Sequence, residues 1–293
     1  MTRIALATAV AMDTADADEE LLMEHLPGAE LAAWDDPRVD WSRFDVVVLR
    51  STWNYTDHLD EFLAWIDRVS AVTRLINPAS VVRWNTDKRY LGDLAAAGFP
   101  VVPTVYVQPG DPVPANALTG HVVVKPTVGA GSKGAALFRD DAAAAEAHLL
   151  QLHHEGRVAM VQPYLDGVDT AGETALIYVG GAFSHAARKA AILSKEMSWS
   201  TGLYADEKVV PTTASAAELD IANRIVAALA HVVPGGADIA YARVDLLPTP
   251  DGPVLLELEL TEPSLFLACD PGAPRRAAAV FEALASASAP ATD

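Results

Sequence analysis

The stretch VLLELELTEPS, Val254 to Ser264, carries Glu257, Glu259 and Glu262 in a segment otherwise made of apolar, strand-forming residues. Side chains alternate between the two faces of a β-strand, so Leu256, Leu258 and Leu260 are expected on one face and Glu257 and Glu259 on the other. An isolated strand of this kind reads as the solvated face of an antiparallel sheet. The preceding ARVDLLPTPDG alters that reading, because it supplies a first strand bearing Asp245 and a turn, and so a hairpin. Asp245, Glu257 and Glu259 then meet on one patch. Carboxylates packed this closely raise one another's pKa unless a cation stands among them, and hard oxygen donors suit Mg²⁺ or Mn²⁺.

Upstream, Lys125 ends the apolar run HVVVKP just before a loop that holds Gly129, Gly131, Ser132 and Gly134. Glycines let backbone N–H groups approach a phosphate, and an adjacent lysine adds a point charge. A flexible hairpin loop with a surface lysine has the same composition. Neither a Gly-Lys-Ser/Thr phosphate loop nor a G-x-G-x-x-G fingerprint occurs. Next come Gln162 and Tyr164 at a strand end, Glu173 opening the following strand and Arg188 on the strand after that. A hinge of this type presents backbone groups to a purine edge while a nearby carboxylate takes ribose hydroxyls; alone, Glu173 reads as an ordinary strand-end carboxylate. RSTWNY, Arg50 to Tyr55, follows the strand DVVVL, and small parallel sheets bind ligands beyond their carboxyl ends. It reads equally as a polar loop anchored by Trp53.

These groups must be positioned by a regular framework. RIALATA, AELAAW, FDVVVLRS and RLIN read as strands, and ADEELLMEHL and HLDEFLAWIDRVS as helices, which together predict a small parallel sheet. Asn77 to Ser80 read as a linker, and NTDKRYLGDLAAAGFP as a helix capped at Asn85 or Thr86 and stopped at Gly98. TVYVQ, GHVVVKP, GAALF and VAMVQPYL, with the helix DDAAAAEAHLLQLHHEG, form a second unit. TALIYVG, AFSHAARKA and the acidic hairpin, with two further helices, form a third.

A chain of 293 residues that is 51% hydrophobic fills proper cores. Its 21 Lys and Arg against 39 Asp and Glu give a net charge of -18, which disfavours nucleic acid and anionic membrane as partners. Any phosphate must therefore be held by a local cluster of cations. The single Cys269 excludes an intrachain disulfide framework and Cys-based zinc, and no apolar run approaches the roughly 20 residues that span a bilayer, so a cytoplasmic protein is expected.

From Asn85 to Ala273, the order of two lysines, glycine loop, hinge, arginine and acidic hairpin resembles the ATP-grasp ligases, with glutathione synthetase and the ribosomal-protein glutamate ligases as the nearest pattern. The resemblance implies an α/β fold of the α+β ATP-grasp kind: a preATP-grasp parallel-sheet domain over residues 1–82, a central subdomain with the glycine lid over 83–164, a C-terminal subdomain with the metal hairpin over 165–293, and ATP clamped between two sheets. It also implies that Lys88 and Lys125 contact the phosphates, Lys125 also lying near the adenine. Gly129, Gly131, Ser132 and Gly134 would form the lid, Gln162 and Tyr164 would line the adenine pocket, and Glu173 would bind ribose. Arg188 would hold the transferring phosphate and act with Lys125 in catalysis, while Asp245, Glu257 and Glu259 would bind two Mg²⁺ ions. Glu259 stands where the family has Asn, and Ala175 where it has a substrate-reading Arg.

STWNY, VRWNTDKRYL and VLLELELTEPS resemble more particularly the actinobacterial branch whose cyclo-ligase closes O-ureido-D-serine to the antibiotic D-cycloserine. The activity this implies is ATP-dependent phosphorylation of a small amino-acid carboxylate, followed by attack of the substrate's own nitrogen. The rivals are an intermolecular carboxylate-amine ligase, a small-molecule kinase and a nucleotide-sensing module. Arg50, Ser51, Thr52 and Trp53 from one loop, with Lys195 and Trp199 from another, are the expected substrate contacts. Arg50 or Lys195 would hold a carboxylate and the two Trp would exclude water. Oligomeric state is left open.

Overall fold

A computed structural model describes residues 2–12, 14–114, 116–189 and 209–288; the expected substrate residues Lys195 and Trp199 lie outside them. The first segment is a four-stranded parallel sheet, ordered β2-β1-β3-β4, of β1 (Ile4–Thr8), β2 (Ala29–Ala33), β3 (Val46–Ser51) and β4 (Arg74–Ile76). Both faces of β1 and β3 are buried, as their unbroken apolar runs require of strands covered on two sides. Helix α1 (Ala17–Met23) starts with a capping box between Asp16 and Glu19. Helix α2 (Leu59–Ser70) buries Phe62, Trp65, Ile66 and Val69, a helical stripe packed on one face of the sheet.

Helix α3 (Ala79–Asn85) follows, so the boundary read at residue 82 falls inside a helix, and Asn85 is its last residue rather than a cap. The Asn77 side chain donates to the carbonyls of Tyr241 and Leu260 and accepts from the Ala240 amide. What reads as a linker is therefore a buried staple between the first and last segments. Helix α4 (Tyr90–Ala96) ends ahead of Gly98, whose φ of 88° is the left-handed stop expected there.

A second sheet, antiparallel and ordered β5-β8-β6-β7, contains β5 (Val105–Val107), β6 (His121–Pro126), β7 (Ala136–Arg139) and β8 (Ala159–Pro163), with α5 (Ala142–His154) on its back. After the short α6 (Gly167–Ala171) comes the third sheet, ordered β11-β10-β9-β12-β13: β9 (Glu173–Val179), β10 (Ala182–Lys189), β11 (Val209–Thr212), β12 (Tyr241–Leu247) and β13 (Val254–Glu259). Helices α7 (Ala216–Val232) and α8 (Ala273–Ser288) cover it from opposite sides.

The alternation of β9, β10 and β12 sets which residues reach the site. Leu176, Tyr178, Ala186, Ala242 and Val244 pack toward α4 and α7. Ala175, Ile177, Ala187 and Tyr241 share a core with the parallel sheet and α8. The charged ends of these strands, Glu173, Lys189, Arg243 and Asp245, continue that second face, and the parallel sheet and the third sheet thus share one core rather than standing as separate domains.

Candidate active site

One cavity runs between the second and third sheets and reaches the 3-10 turn Trp53–Asp57 that follows β3. On the third-sheet side, Asp245 pairs with Glu257 and Arg243 with Glu259 in the hairpin register, so four charged side chains share one face. A register shift after Asp245 departs from simple alternation: Leu255 joins Leu258 and Leu260 in the core, and Leu256 turns toward the cavity. The hairpin is pinned from behind. Tyr90 accepts from the Leu258 amide at 3.0 Å, and the Asn85 side chain bonds the Leu258 carbonyl and the Leu260 amide.

Each hairpin carboxylate has a cation. Lys88 lies 2.9 Å from Glu257 and donates at 2.6 Å to the Gly129 carbonyl, tying hairpin to glycine loop. Lys189 contacts Asp245 at 3.0 Å and pairs with Glu173. Arg243 forks onto Asp245 at 2.9 Å and onto Glu259, and its remaining nitrogen donates to the Ser264 carbonyl at 3.1 Å. Burial alone would raise all these carboxyls. For Asp245 the cations Arg243 and Lys189 outweigh it, and for Glu257 Lys88 and Lys125 do, so both stay below their ordinary values. At Glu259 burial prevails over Arg243 and the pKa is pushed up to about 7. Arg243 thus pairs with Glu259 but offsets only part of the cost of burying it.

Lys125, Gly129, Gly131, Ser132, Gln162, Tyr164 and Glu173 all line the same cavity. Burial lowers the Lys125 ammonium. Gly134 does not line the cavity; it makes the loop's left-handed turn, with φ +76° and a Cβ there standing 3.2 Å from Pro126. Lys133 pairs with Asp57 at 2.5 Å, latching the loop to the 3-10 turn.

Several expected site residues are placed elsewhere. Arg188 does not line the cavity; its guanidinium donates to the Ala171 carbonyl, and its parity on β10 sets it with Thr174 toward Glu218 of α7. The next residue, Lys189, has the opposite parity and faces the hairpin carboxylates. Arg50, Ser51 and Thr52 are buried behind the cavity wall. Ser51 bonds Thr8 and Glu19, and Arg50 donates to the Pro263 carbonyl, so both brace the end of β3. Trp53 does line the cavity, as does Tyr55. Sequence reading passed over Arg243, Lys189, Tyr55 and a role for Glu262. Arg243 was legible in ARVD, two residues before Asp245 and hence on its face; Glu262, beyond the strand, carried no periodic signal.

Among the described residues no group of three His, Cys, Asp or Glu side chains is arranged to hold a metal ion, so the convergence expected of Asp245, Glu257 and Glu259 is not a preformed cage. The donor set nevertheless fits Mg²⁺ arriving with a nucleotide, because Mg²⁺ takes one or two carboxylates and completes its shell with phosphate oxygens and water.

Known proteins resemble this chain in sequence and in fold. A family model described as the N-terminal domain of D-cycloserine synthetase DcsG matches residues 4–77. The cycloserine biosynthesis protein DcsG of Streptomyces lavendulae is 41% identical over 276 residues, spanning 87% of this chain and 89% of that one. The chain belongs to the DcsG family. The crystal structure of D-cycloserine synthetase DcsG superposes on this member of the family with a TM-score of 0.83 at 37% identity, over 96% of this chain and 99% of that one. A RimK domain ATP-grasp protein from Sphaerobacter thermophilus, 20% identical, shares the fold with a TM-score of 0.64 over 97% of this chain and 98% of its own. No helix among the described residues of this DcsG-family chain is long and apolar enough to cross a membrane.

Two buried carboxyls make a testable link between site and stability. Burial raises Glu173, against the pull of Lys189, to about 8, and burial with the neighbouring Glu259 raises Glu262 to about 8. A carboxyl whose folded pKa lies above its unfolded value contributes stability that is present below the unfolded pKa and is lost as pH rises through the folded one. Melting temperature in the presence of a chelator is therefore expected to fall as pH is raised through about 8, and Glu262→Gln should shrink that fall. A flat profile from pH about 6 to 9 would remove both assignments.

Proposed function

We propose that this protein is an ADP-forming carbon-nitrogen ligase that cyclises O-ureido-D-serine to D-cycloserine, using ATP and Mg²⁺. The observation that carries the reading is one cavity onto which Lys88, Lys125, Lys189 and the glycine loop open together with Arg243, Glu257 and Glu259 of the hairpin face, with Asp245 paired to Lys189 and Arg243 behind them. A carboxylate is a poor acyl donor because oxide does not leave. Moving the γ-phosphoryl of ATP onto it makes an acyl phosphate, from which phosphate leaves as the new C–N bond forms. Phosphoryl transfer is largely positioning and neutralisation of equatorial oxygens, work suited to preorganised cations in a dry site. Mg²⁺ held by Asp245, Glu257 and Glu259, two ions on the family pattern, would supply most of that neutralisation, and Mn²⁺ would suit the same oxygen donors.

Lys88 and Lys125 hold the β- and γ-phosphates, and the Gly129–Gly134 loop closes over them through the Lys133–Asp57 latch. Gln162 and Tyr164 flank the adenine, with Leu256 and Leu165 as its apolar walls, and Glu173 takes the ribose. Lys189 replaces Arg188 as the cation on the transferring phosphoryl, and Arg243 faces the charge that develops on the substrate carboxyl. Trp53 and Tyr55 wall off the substrate end. There the nitrogen bonded to the substrate's side-chain oxygen attacks the carbonyl carbon, a geometry a confined pocket favours. Substrate and product differ further by the carbamoyl group on that nitrogen, whose removal consumes one water and yields carbamate. The acidic chain gives nucleic acid no foothold, and a cytoplasmic location suits an ATP-consuming enzyme.

Lys125→Ala is expected to weaken ATP binding by about tenfold or more, because a point charge beside the phosphates is lost. Calorimetry that finds ATP affinity unchanged returns the lysine to a structural role. The activity itself is decided by O-ureido-D-serine as sole substrate. ADP release with a cyclic product supports the reading; turnover only after a second amine is added leaves an intermolecular ligase in its place, and a released phosphorylated substrate leaves a kinase.

A further inference from the structure

We propose that Glu262 is the residue that selects an α-amino acid as substrate, its carboxylate receiving the α-ammonium group while the Tyr55 phenol holds it in place. The proposal rests on the ligase reading above and deepens it, naming the group that recognises the half of the substrate the phosphate machinery does not touch.

Charge pairing inside the cavity singles out one residue. Four carboxylates line it, Glu173, Glu257, Glu259 and Glu262, with Asp245 buried among them on the same hairpin face. Glu173 and Asp245 are paired with Lys189, Asp245 also with Arg243, Glu257 with Lys88, and Glu259 with Arg243. Glu262 has no such ion pair among the described residues. Its side-chain partner is a neutral one, the Tyr55 hydroxyl, which donates to it. Yet Glu262 is only 8% exposed and Tyr55 4%. A buried carboxyl without a counter-cation is costly to ionise, in keeping with its raised pKa, and a site keeps such a group where a cationic ligand completes it.

The position is built, not accidental. The indole of Trp53 donates to the Glu262 carbonyl at 3.2 Å, and Arg50 donates to the carbonyl of the next residue, Pro263. Thr261 bonds the Asn85 side chain, and Ser264 receives Arg243 at 3.1 Å. The backbone on both sides of Glu262 is thus held by four separate elements, which explains why the end of β3 is so heavily braced. The Ser264 contact also ties this segment to Arg243, the cation facing the carboxyl that is to be phosphorylated. In an α-amino acid a single carbon separates the ammonium nitrogen from the carboxyl carbon. The reader of the ammonium must therefore open on the same cavity as the handler of the carboxyl, and Glu262 lines that cavity with Arg243, two residues before the Ser264 carbonyl that Arg243 holds, with no cation paired to it among the described residues.

The test compares wild type, Glu262→Gln and Glu262→Asp in full-length enzyme with Mg²⁺ and ATP, following ADP release from O-ureido-D-serine and from its analogue with hydrogen in place of the α-ammonium. Glu262→Gln is expected to raise KM for O-ureido-D-serine about 30- to 100-fold while KM for ATP and for the analogue stays within about twofold, since only the charged contact is lost. Glu262→Asp should recover part of the loss. Tyr55→Phe, which spares the carboxylate, should raise KM for the amino substrate alone by about three- to tenfold, and it serves as the reporter should Glu262→Gln fail to fold. Equal rises in KM for both substrates would overturn the proposal, as would a fall in kcat with KM unchanged, which would make Glu262 a proton acceptor. The two readings fail separately. If wild type releases no ADP with O-ureido-D-serine, the cyclising function is lost, and Glu262 is then judged by calorimetric titration of D-serine and D-glycerate into wild type and Glu262→Gln: preference for D-serine that disappears in the variant sustains the proposal, and its absence or persistence overturns it.

Discussion

Glu257→Gln is expected to lower ADP release by about 10²- to 10³-fold, the scale seen when one preorganised electrostatic contact to a reacting phosphoryl group is removed. Glu257 pairs with Asp245 across the hairpin, and its Oε1 lies 2.9 Å from Lys88. Neutralising it removes a hard donor from the Mg²⁺ set and frees Lys88 from the place where it meets the phosphates. On sequence alone the same substitution reads as nearly neutral for folding, because it relieves repulsion among carboxylates. The structure reverses that expectation. Glu257 titrates below its ordinary value because Lys88 and Lys125 outweigh its burial, so its ionised form stabilises the fold at neutral pH. A group with a lowered folded pKa contributes stability above the unfolded value and loses it only as pH falls through the folded one. Leaving the buried Lys88 ammonium short of one partner is therefore expected to cost about 1–3 kcal/mol, or a drop in melting temperature of roughly 2–8 °C for a chain of this size. The Gly129 carbonyl, which still accepts from Lys88, keeps the cost at that level. Adding Lys88→Met should restore stability without restoring activity. Full turnover in a folded Glu257→Gln enzyme would end the metal assignment, and an unchanged melting temperature would show that the ion pair adds nothing.

Arg243→Ala is expected to lower kcat by about 10²- to 10³-fold while ATP affinity stays within about threefold. The guanidinium is fixed by Asp245, Glu259 and the Ser264 carbonyl and lines the cavity, on the side assigned above to the substrate by the proposed function. That placement suits charge arising on the substrate carboxyl in the transition state better than charge already present on bound ATP. Arg243→Lys should recover little, because a lysine cannot span two carboxylates with one planar fork. Loss of Asp245 and Glu259 alignment is part of the effect, so the variant should also need more Mg²⁺ for half-maximal rate. A parallel loss of ATP affinity in calorimetry would move Arg243 to the triphosphate instead.

Much of this site is legible in the amino-acid sequence. The period-2 pattern of the hairpin places Asp245 with Glu257 and Glu259, and the strand-loop composition around Lys125 marks the lid, because both depend only on local geometry. The parallel sheet, α2, α5 and α7 are likewise legible, since each buries a face at its own period. Local rules fail where a single residue of register matters. Arg188 and Lys189 are adjacent cations at the end of one strand, and only the pairing of β10 with β9 decides that Lys189 meets Asp245 while Arg188 turns to α7. The bulge after Asp245 exchanges Leu256 for Leu255 in the core for the same reason. Asn77, Asn85 and Arg50 look like linker, cap and ligand-binding residues, yet each directs its hydrogen bonds to backbone more than 160 positions away.

The sequence by itself thus determined which residue types are present: lysines, a glycine loop and an acidic hairpin follow from composition and short-range periodicity, and their assignment to a nucleotide's phosphates follows from the resemblance of their order to the ATP-grasp pattern. Tertiary structure alone decided which charges meet. Pairing Lys88 with Glu257, Lys189 with Asp245 and Arg243 with Glu259, and leaving Glu262 to a phenol, depends on strand parity and on segments far apart in the chain arriving at one cavity, since a charge has no energetic partner until packing brings one within a few ångströms and removes the water between them.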